Sequence, residues 1–343
     1  MTALPRSGTP VHSRPRFRRR LWLIAGTVAA GAAAGAAYKR LTRERAAIAH
    51  SGADVGRHAL GWGQGVERPE HRTVPTPDGA LLAVWDLEGE RPDAPVVVLP
   101  HCWGCSHEIW IPVARRLLES GHRVVLYDQR GHGASTRGTA PLAMETLAHD
   151  LEAVLEGTDV RDAVLVGHSM GGMTIMSLAT HRPHVLKERA KATVLVATTA
   201  TSVGGWPRSG SQLAGALIAS PLVSRSMRAR NGHLLVRAVF GESPDRSHMD
   251  LTRELFADCD GTVRGDFLLA FSAMNLLEGI ATIDLPTTVM VGSRDTLTLP
   301  AKADQIVSTI PGARLVTLQN RGHMLPLEDP DAVTDEIARA VKG

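Results

Sequence analysis

The chain has 343 residues, 43% of them apolar, with three cysteines and a formal charge of +3. That composition supplies a sizeable core for one large domain with an insertion, and excludes a disulfide-built scaffold or a chain too polar to fold. The charge is uneven: residues 1–50 hold ten Lys or Arg against one acid, a charge of +9, so the remainder carries −6.

Residues 1–20 are rich in Pro, Arg and Ser/Thr, a composition that predicts disorder. Arg18-Arg19-Arg20 then precedes an uncharged run, Leu21 to Tyr38, which Lys39-Arg40 closes. As a helix, 18 residues span about 27 Å at ~1.5 Å each, close to a hydrocarbon core of roughly 30 Å. The run predicts a single N-terminal transmembrane anchor, although its Ala and Gly content leaves the insertion energy marginal. Two alternatives stay open. One is export after signal cleavage, with Arg18-Arg19 as a twin-arginine type signal and Ala34-Gly35-Ala36 as the cleavage site. The other is a soluble alanine-rich helix. Six arginines before the run against four basic residues close behind it give a small bias to a cytoplasmic N-terminus and an external globular domain. The arginines abut an apolar run instead of forming a recognition face, which argues against nucleic acid as a partner. Residues 39–69 form a linker, basic and helix-like to residue 50 and Gly-rich beyond it.

From residue 70 strands and helices alternate. Strands are predicted at Arg72–Val74 and Leu81–Trp85, joined by the turn Pro77-Asp78-Gly79, then at Val96–Leu99, Arg123–Tyr127, Ala163–Val166 and Ala192–Ala197. Helices are predicted over Ile111–Leu118, Leu142–Leu155 and Met173–Ala179. Apolar strands alternating with helices imply a largely parallel sheet covered on both faces. Residues 201 to about 282 break this rhythm. They place apolar residues at helical spacing: Leu213, Leu217 and Ile218; Leu234, Leu235 and Val239; Phe267, Leu268, Phe271 and Met274. This segment is predicted to be a helical cap lining an apolar pocket, with extra core as the plainer alternative. Strands resume at Thr287–Val291 and Arg314–Leu318.

Between the strand Ala163–Val166 and the helix that follows stands Gly167-His168-Ser169-Met170-Gly171-Gly172. A G-x-S-x-G at a strand-to-helix turn holds a serine on a sharp, strained bend with its hydroxyl projecting from the sheet edge. A serine hydroxyl is a poor nucleophile at neutral pH. It needs a histidine to take its proton and a carboxylate to orient that histidine. Asp295, in the loop after Thr287–Val291, and His323, in the loop after Arg314–Leu318, supply both in the order Ser, acid, His. The loop one strand earlier, Thr198 to Ser202, holds no carboxylate to compete with Asp295. Glu328 and Asp329 are expected to open the last helix. An oxyanion needs two donors: the backbone N–H of Met170, directly after the serine, and that of Trp103, in the loop Pro100 to Gly104. Cys102 and Cys105 form a C-x-x-C flanked by His101 and His107. Four ligands within seven residues strain to close a tetrahedron and no second such motif exists, so no metal is assigned and the cysteines are expected to act as small buried apolar residues.

Four landmarks carry a resemblance: His101-Cys102-Trp103 with Trp110 beyond, Tyr127 to Ser135, Gly167 to Gly172, and Gly322 to Glu328. Through them the chain resembles the α/β-hydrolase superfamily, of the serine esterase and lipase type, over residues 70–343. The resemblance implies an α/β-hydrolase fold, a mostly parallel sheet with helices on both faces and the inserted cap. It implies cleavage of a carboxylic ester, expected to be apolar, through an acyl-enzyme on Ser169, with Asp295 and His323 as its partners and no cofactor. The same fold leaves open a thioesterase, a carbon–carbon hydrolase, an acyltransferase, a cofactor-free perhydrolase, or a non-catalytic ligand-binding protein. The Asp128-to-Ser135 loop is structural in this family, so Arg130 and His132 receive no catalytic role. One departure stands out: the family has His-Gly where this chain has His101-Cys102, and a cysteine must tolerate or shift the bend that glycine serves.

Overall fold

A computed structural model describes residues 69–203 and 208–343. The run Leu21–Tyr38 and the flanking segments assigned above as disordered or linker lie outside the described residues up to residue 68. No described helix is long and apolar enough to cross a membrane.

The described residues build an eight-stranded sheet from β1 (Arg72–Pro75), β2 (Leu81–Leu87), β3 (Val96–Pro100), β4 (Arg123–Tyr127), β5 (Ala163–His168), β6 (Ala190–Val196), β7 (Thr287–Gly292) and β8 (Arg314–Leu318). Their order is β1-β2-β4-β3-β5-β6-β7-β8. Only the β1–β2 and β2–β4 pairs are antiparallel. Strands buried on both faces are mostly apolar, and β5 and β7 are buried at every residue, with His168, Thr287 and Thr288 as the polar exceptions at their ends. The chain runs from β3 to β4 on one side, then crosses to β5 on the other. Registers Val97–Val124 and Val97–Val164 fix β3 between them. This reversal opens a crevice at the carboxyl ends of β3 and β5, where such sheets place their sites.

Helices α1 (Ile111–Glu119), α2 (Met144–Gly157), α3 (Met170–His181), α4 (Pro183–Arg189), α11 (Pro300–Thr309), the short α12 (Leu325–Glu328) and α13 (Pro330–Lys342) accompany the sheet. α2 buries Leu147, Ala148, Leu151, Val154 and Leu155, an apolar stripe at helical spacing. α4 has no apolar stripe long enough to announce it. The buried Arg130 side chain ties the loop after β4 to α2 through Asp150 and to the β1–β2 turn through Asp78 at 2.9 Å. That fixes the Asp128-to-Ser135 loop as scaffold.

Between β6 and β7 lie α5 (Arg208–Ala219), α6 (Pro221–Arg228), α7 (His233–Val236), α8 (Arg246–Asp258), α9 (Gly261–Ser272) and α10 (Leu277–Ile280). Phe267, Phe271 and Met274 are buried in one cluster with residues of the sheet and of α2 and α3. Leu213 and Leu217 behave otherwise: they are 65% and 60% exposed. Their spacing gives a helix but neither extra core nor a buried pocket wall.

Candidate active site

Ser169 takes φ 50° and ψ −111° at the turn from β5 into α3, a strained conformation for a residue with a side chain. Its backbone is fastened on three sides. Its N–H donates to the Val196 carbonyl at 2.9 Å, and its own carbonyl accepts from Met173 N–H at 3.0 Å and from Thr198 Oγ1 at 2.7 Å. The turn also requires glycine at 171, because a Cβ there would sit 2.0 Å from the Pro100 carbonyl oxygen. That contact presses the start of α3 against the end of β3, and Trp110 Nε1–H donates to the same carbonyl at 3.1 Å. Met170, the first residue of α3, is fully buried, and first-turn N–H groups have no partner within their own helix.

His323 and Asp295 come together from the ends of β8 and β7. His323 Nδ1 lies 2.9 Å from Asp295 Oδ2, with both side chains almost wholly buried. A carboxylate only accepts, so Nδ1 carries the proton and Nε2 keeps its lone pair. Asp295 is itself held: Oδ1 accepts the N–H groups of Leu297 and Thr298 at 2.8 and 2.9 Å, and Oδ2 accepts Thr298 Oγ1–H at 2.7 Å. Burial alone would raise the Asp295 carboxyl, but the His323 ring and the Thr298 donors outweigh it and hold it below the ordinary carboxylate value.

The His323 backbone is as tightly placed. Its N–H donates to the Val239 carbonyl at 2.8 Å, and its carbonyl accepts His168 Nε2–H at 2.8 Å. Burial, then the neighbouring His323, pushes His168 down to about 3, so it stays neutral and keeps this donor role at ordinary pH. Glu328 differs from the expectation above. Asp329, not Glu328, caps α13, through Ala332 N–H. The Glu328 carboxylate turns back and accepts the N–H groups on both sides of His323, Gly322 at 3.0 Å and Met324 at 3.0 Å, together with Gly241 N–H at 2.7 Å. Thr298 carries a weak signal in the sequence, as a hydroxyl three residues from the acid, and Glu328 and His168 carry none.

The loop after β3 explains how cysteine is accommodated. His101 Nε2 accepts Gln129 N–H at 2.9 Å, so its Nδ1–H donates to the Cys102 carbonyl at 2.7 Å. Cys105 N–H donates to that carbonyl as well, at 3.3 Å. The left-handed residue of this turn is Gly104, at φ 70°, and Cys102 is absent from the positive-φ residues. Cysteine at 102 is therefore under no glycine-type strain. Trp103 reaches over to the segment after β6: its Nε1–H donates to the Arg264 carbonyl at 3.2 Å, and its ring meets Phe256 and Phe271 edge-on at 5.4 and 5.9 Å. Among the described residues no three His, Cys, Asp or Glu side chains gather as metal ligands.

A family model described as alpha/beta hydrolase fold matches residues 95–330. A pimeloyl-[acyl-carrier protein] methyl ester esterase from Xanthomonas campestris pv. campestris (strain B100) is 28% identical over 257 residues, 72% of this chain and 95% of that protein. A bifunctional esterase/perhydrolase from Acinetobacter calcoaceticus is 39% identical over 111 residues, 32% of this chain and 40% of the relative. Among solved structures, the esterase RhEst1 from Rhodococcus sp. ECU1013 superposes with a TM-score of 0.67 at 21% identity, covering 80% of this chain and 99% of that one, a likeness of fold.

Proposed function

Because the chain belongs to the alpha/beta hydrolase family and is an ester-bond hydrolase, we propose that it cleaves an apolar carboxylic ester through an acyl-enzyme on Ser169. Ser169 Oγ attacks the ester carbonyl while His323 Nε2 takes its proton. Asp295 holds the ring through Nδ1–H and steadies the imidazolium that forms. The N–H groups of Met170 and Trp103 receive the oxyanion. As the tetrahedral adduct collapses, the proton passes from His323 to the leaving alcohol. Water, deprotonated by His323, then attacks the acyl-enzyme and frees the acid and Ser169. The observation that carries this reading is the His323 Nδ1–Asp295 bond of 2.9 Å, which leaves Nε2 unprotonated to serve as a base, together with a serine held at φ 50° on the strand-to-helix turn.

The test is hydrolysis of p-nitrophenyl esters from acetyl to palmitoyl, with Ser169→Ala as control. The expected result is turnover that falls at least about 10³-fold in the variant, with a chain-length optimum that sizes the acyl pocket. Turnover no higher than that of Ser169→Ala across the series overturns the reading. We also propose that Leu21–Tyr38 anchors the chain in a membrane with the catalytic domain outside. Full-length protein is then expected to stay with membranes after alkaline carbonate washing, and release by that wash overturns the anchor.

A further inference from the structure

One buried cation is left over from the reaction. Arg264, on α9, is fully buried. A guanidinium taken out of water normally faces a carboxylate, and among the described residues none pairs with Arg264. It donates instead to the Phe256 carbonyl and to Ser224 Oγ at 2.8 Å, lies 4.7 Å over the Phe256 ring, and leaves Nε without a partner. A carbonyl, a hydroxyl and a ring face spread the charge without neutralising it. Burial accordingly pulls the group below the ordinary guanidinium value.

Arg264 borders a cleft of about 580 Å³ between α6 and the junction of α8 with α9, a volume suited to a small molecule. Two acids line the cleft, and both are engaged. Asp258 takes Arg228 Nη2 at 2.9 Å, and Asp260 caps α9 by accepting Thr262 and Val263 N–H. That leaves Arg225, exposed at the rim, and Arg264, beneath the floor, as two lining cations in ion-pair contact with no carboxylate among the described residues, with the Asp260 charge nearby.

We propose that this cleft binds the phosphate group of a small phosphorylated molecule between Arg225 and Arg264. Three arginines against two aspartates leave the cleft with a net positive charge, which favours an anion, and a phosphate monoester near pH 7 carries more negative charge than a carboxylate. The planar fork of arginine also matches phosphate oxygens. Close to Arg264 the ligand lies in a partly desolvated environment, where attraction between opposite charges is stronger than in bulk water. A soluble phosphate monoester and the headgroup of a phosphate-monoester lipid share this chemistry.

The experiment titrates the full chain with inorganic phosphate at constant ionic strength, chloride replacing it in the control, and follows calorimetric binding and melting temperature. Saturable binding of one phosphate is expected, with a melting temperature that rises in phosphate and not in chloride. Arg225→Ala, at an exposed position, is expected to weaken binding at least about tenfold, the order of one charge-assisted contact, while ester turnover stays unchanged. Arg264→Lys, which keeps the charge and loses the fork, is expected to weaken it as well. Identical behaviour in phosphate and chloride overturns the proposal. So does phosphate binding indifferent to Arg225→Ala, since the basic residues 1–50 then hold the anion. Vesicles of phosphatidylcholine with phosphatidic acid separate the two sources. Capture that needs Arg225 and is competed by phosphate supports the site with a lipid headgroup. Capture indifferent to Arg225, with soluble phosphate still requiring it, supports the site with a soluble ligand.

Discussion

Glu328→Gln probes how His323, the proposed base, is placed. The carboxylate accepts three backbone N–H groups: Met324 at 3.0 Å on one oxygen, Gly241 at 2.7 Å on the other, and Gly322 on both. Glutamine keeps one acceptor oxygen and turns the other into an amide that faces N–H donors. Whichever way it sits, either Met324 or Gly241 loses its acceptor. A buried donor left unmet costs about 1–3 kcal/mol. At about 2–4 °C per kcal/mol for a domain near this size, the melting temperature falls by roughly 2–12 °C. His323 hangs between two of these donors, so its ring moves with them, and a displacement of about 1 Å reduces catalysis about a hundredfold. The expected result is a kcat lowered about 10- to 100-fold with KM nearly unchanged, measured on p-nitrophenyl esters and normalised to active sites counted with a phosphonate probe. Full kcat per active site in the folded variant refutes the reasoning. A loss that disappears after normalisation refutes it too, because Glu328 then supports only the fold.

Thr298→Val removes the hydroxyl that donates to Asp295 Oδ2. A hydrogen bond to a charged group is worth about 1.5–3 kcal/mol, so kcat/KM is expected to fall about tenfold or more while the acidic limb of the pH–rate profile moves to higher pH, as Asp295 loses one of the donors that hold its pKa down. An unchanged profile would show that Asp295 does not depend on this hydroxyl. Gly171→Ala places a Cβ 2.0 Å from a backbone oxygen that no rotamer change can relieve; a loss of about 4 kcal/mol or more in urea unfolding is expected, and near-normal stability contradicts the close approach. His101, His132 and His168 are pushed by burial to about 4, about 3 and about 3. Their folded values lie below the unfolded value of about 6.5, so the neutral ring is favoured in the fold. Their contribution is complete above that pH and is lost as pH falls toward the folded values. At pH 5 each contributes about 2 kcal/mol less than at pH 7, about 6 kcal/mol together. Asp295, shifted down, adds its own loss only below about pH 4. Urea unfolding that is equally stable at pH 7 and pH 5 would sink this account.

The residues proposed for the reaction could be picked out because the chemistry dictates their identity. A serine on a Gly-rich bend, an acid and a histidine each follow an apolar strand, and strands buried on both faces show as unbroken apolar runs in β3, β5 and β7. Residues whose role depends on direction were not legible. Glu328 is five positions from His323, and nothing in that spacing says whether its side chain runs on into the last helix or back to the loop. The single turn of α12 sends it back. Arg264 lies in Gly-Thr-Val-Arg-Gly-Asp, which suggests a solvated arginine until α6 and α8 close over it. The clearest case is α5 beside α9. Leu213 and Leu217 are spaced like Phe267 and Phe271, yet the first pair faces solvent and the second is buried. α5 instead buries Ser211 and Gly215, and a Cβ on Gly265 would stand 2.7 Å from the Gly215 carbonyl oxygen. Where two helix backbones cross that closely, only small residues fit between them, so the buried stripe is the one with little hydrophobicity. Periodicity finds a helix by its large apolar residues and assigns them inward. A glycine-to-glycine crossing inverts that assignment, and only the partner helix, distant in sequence, reveals it.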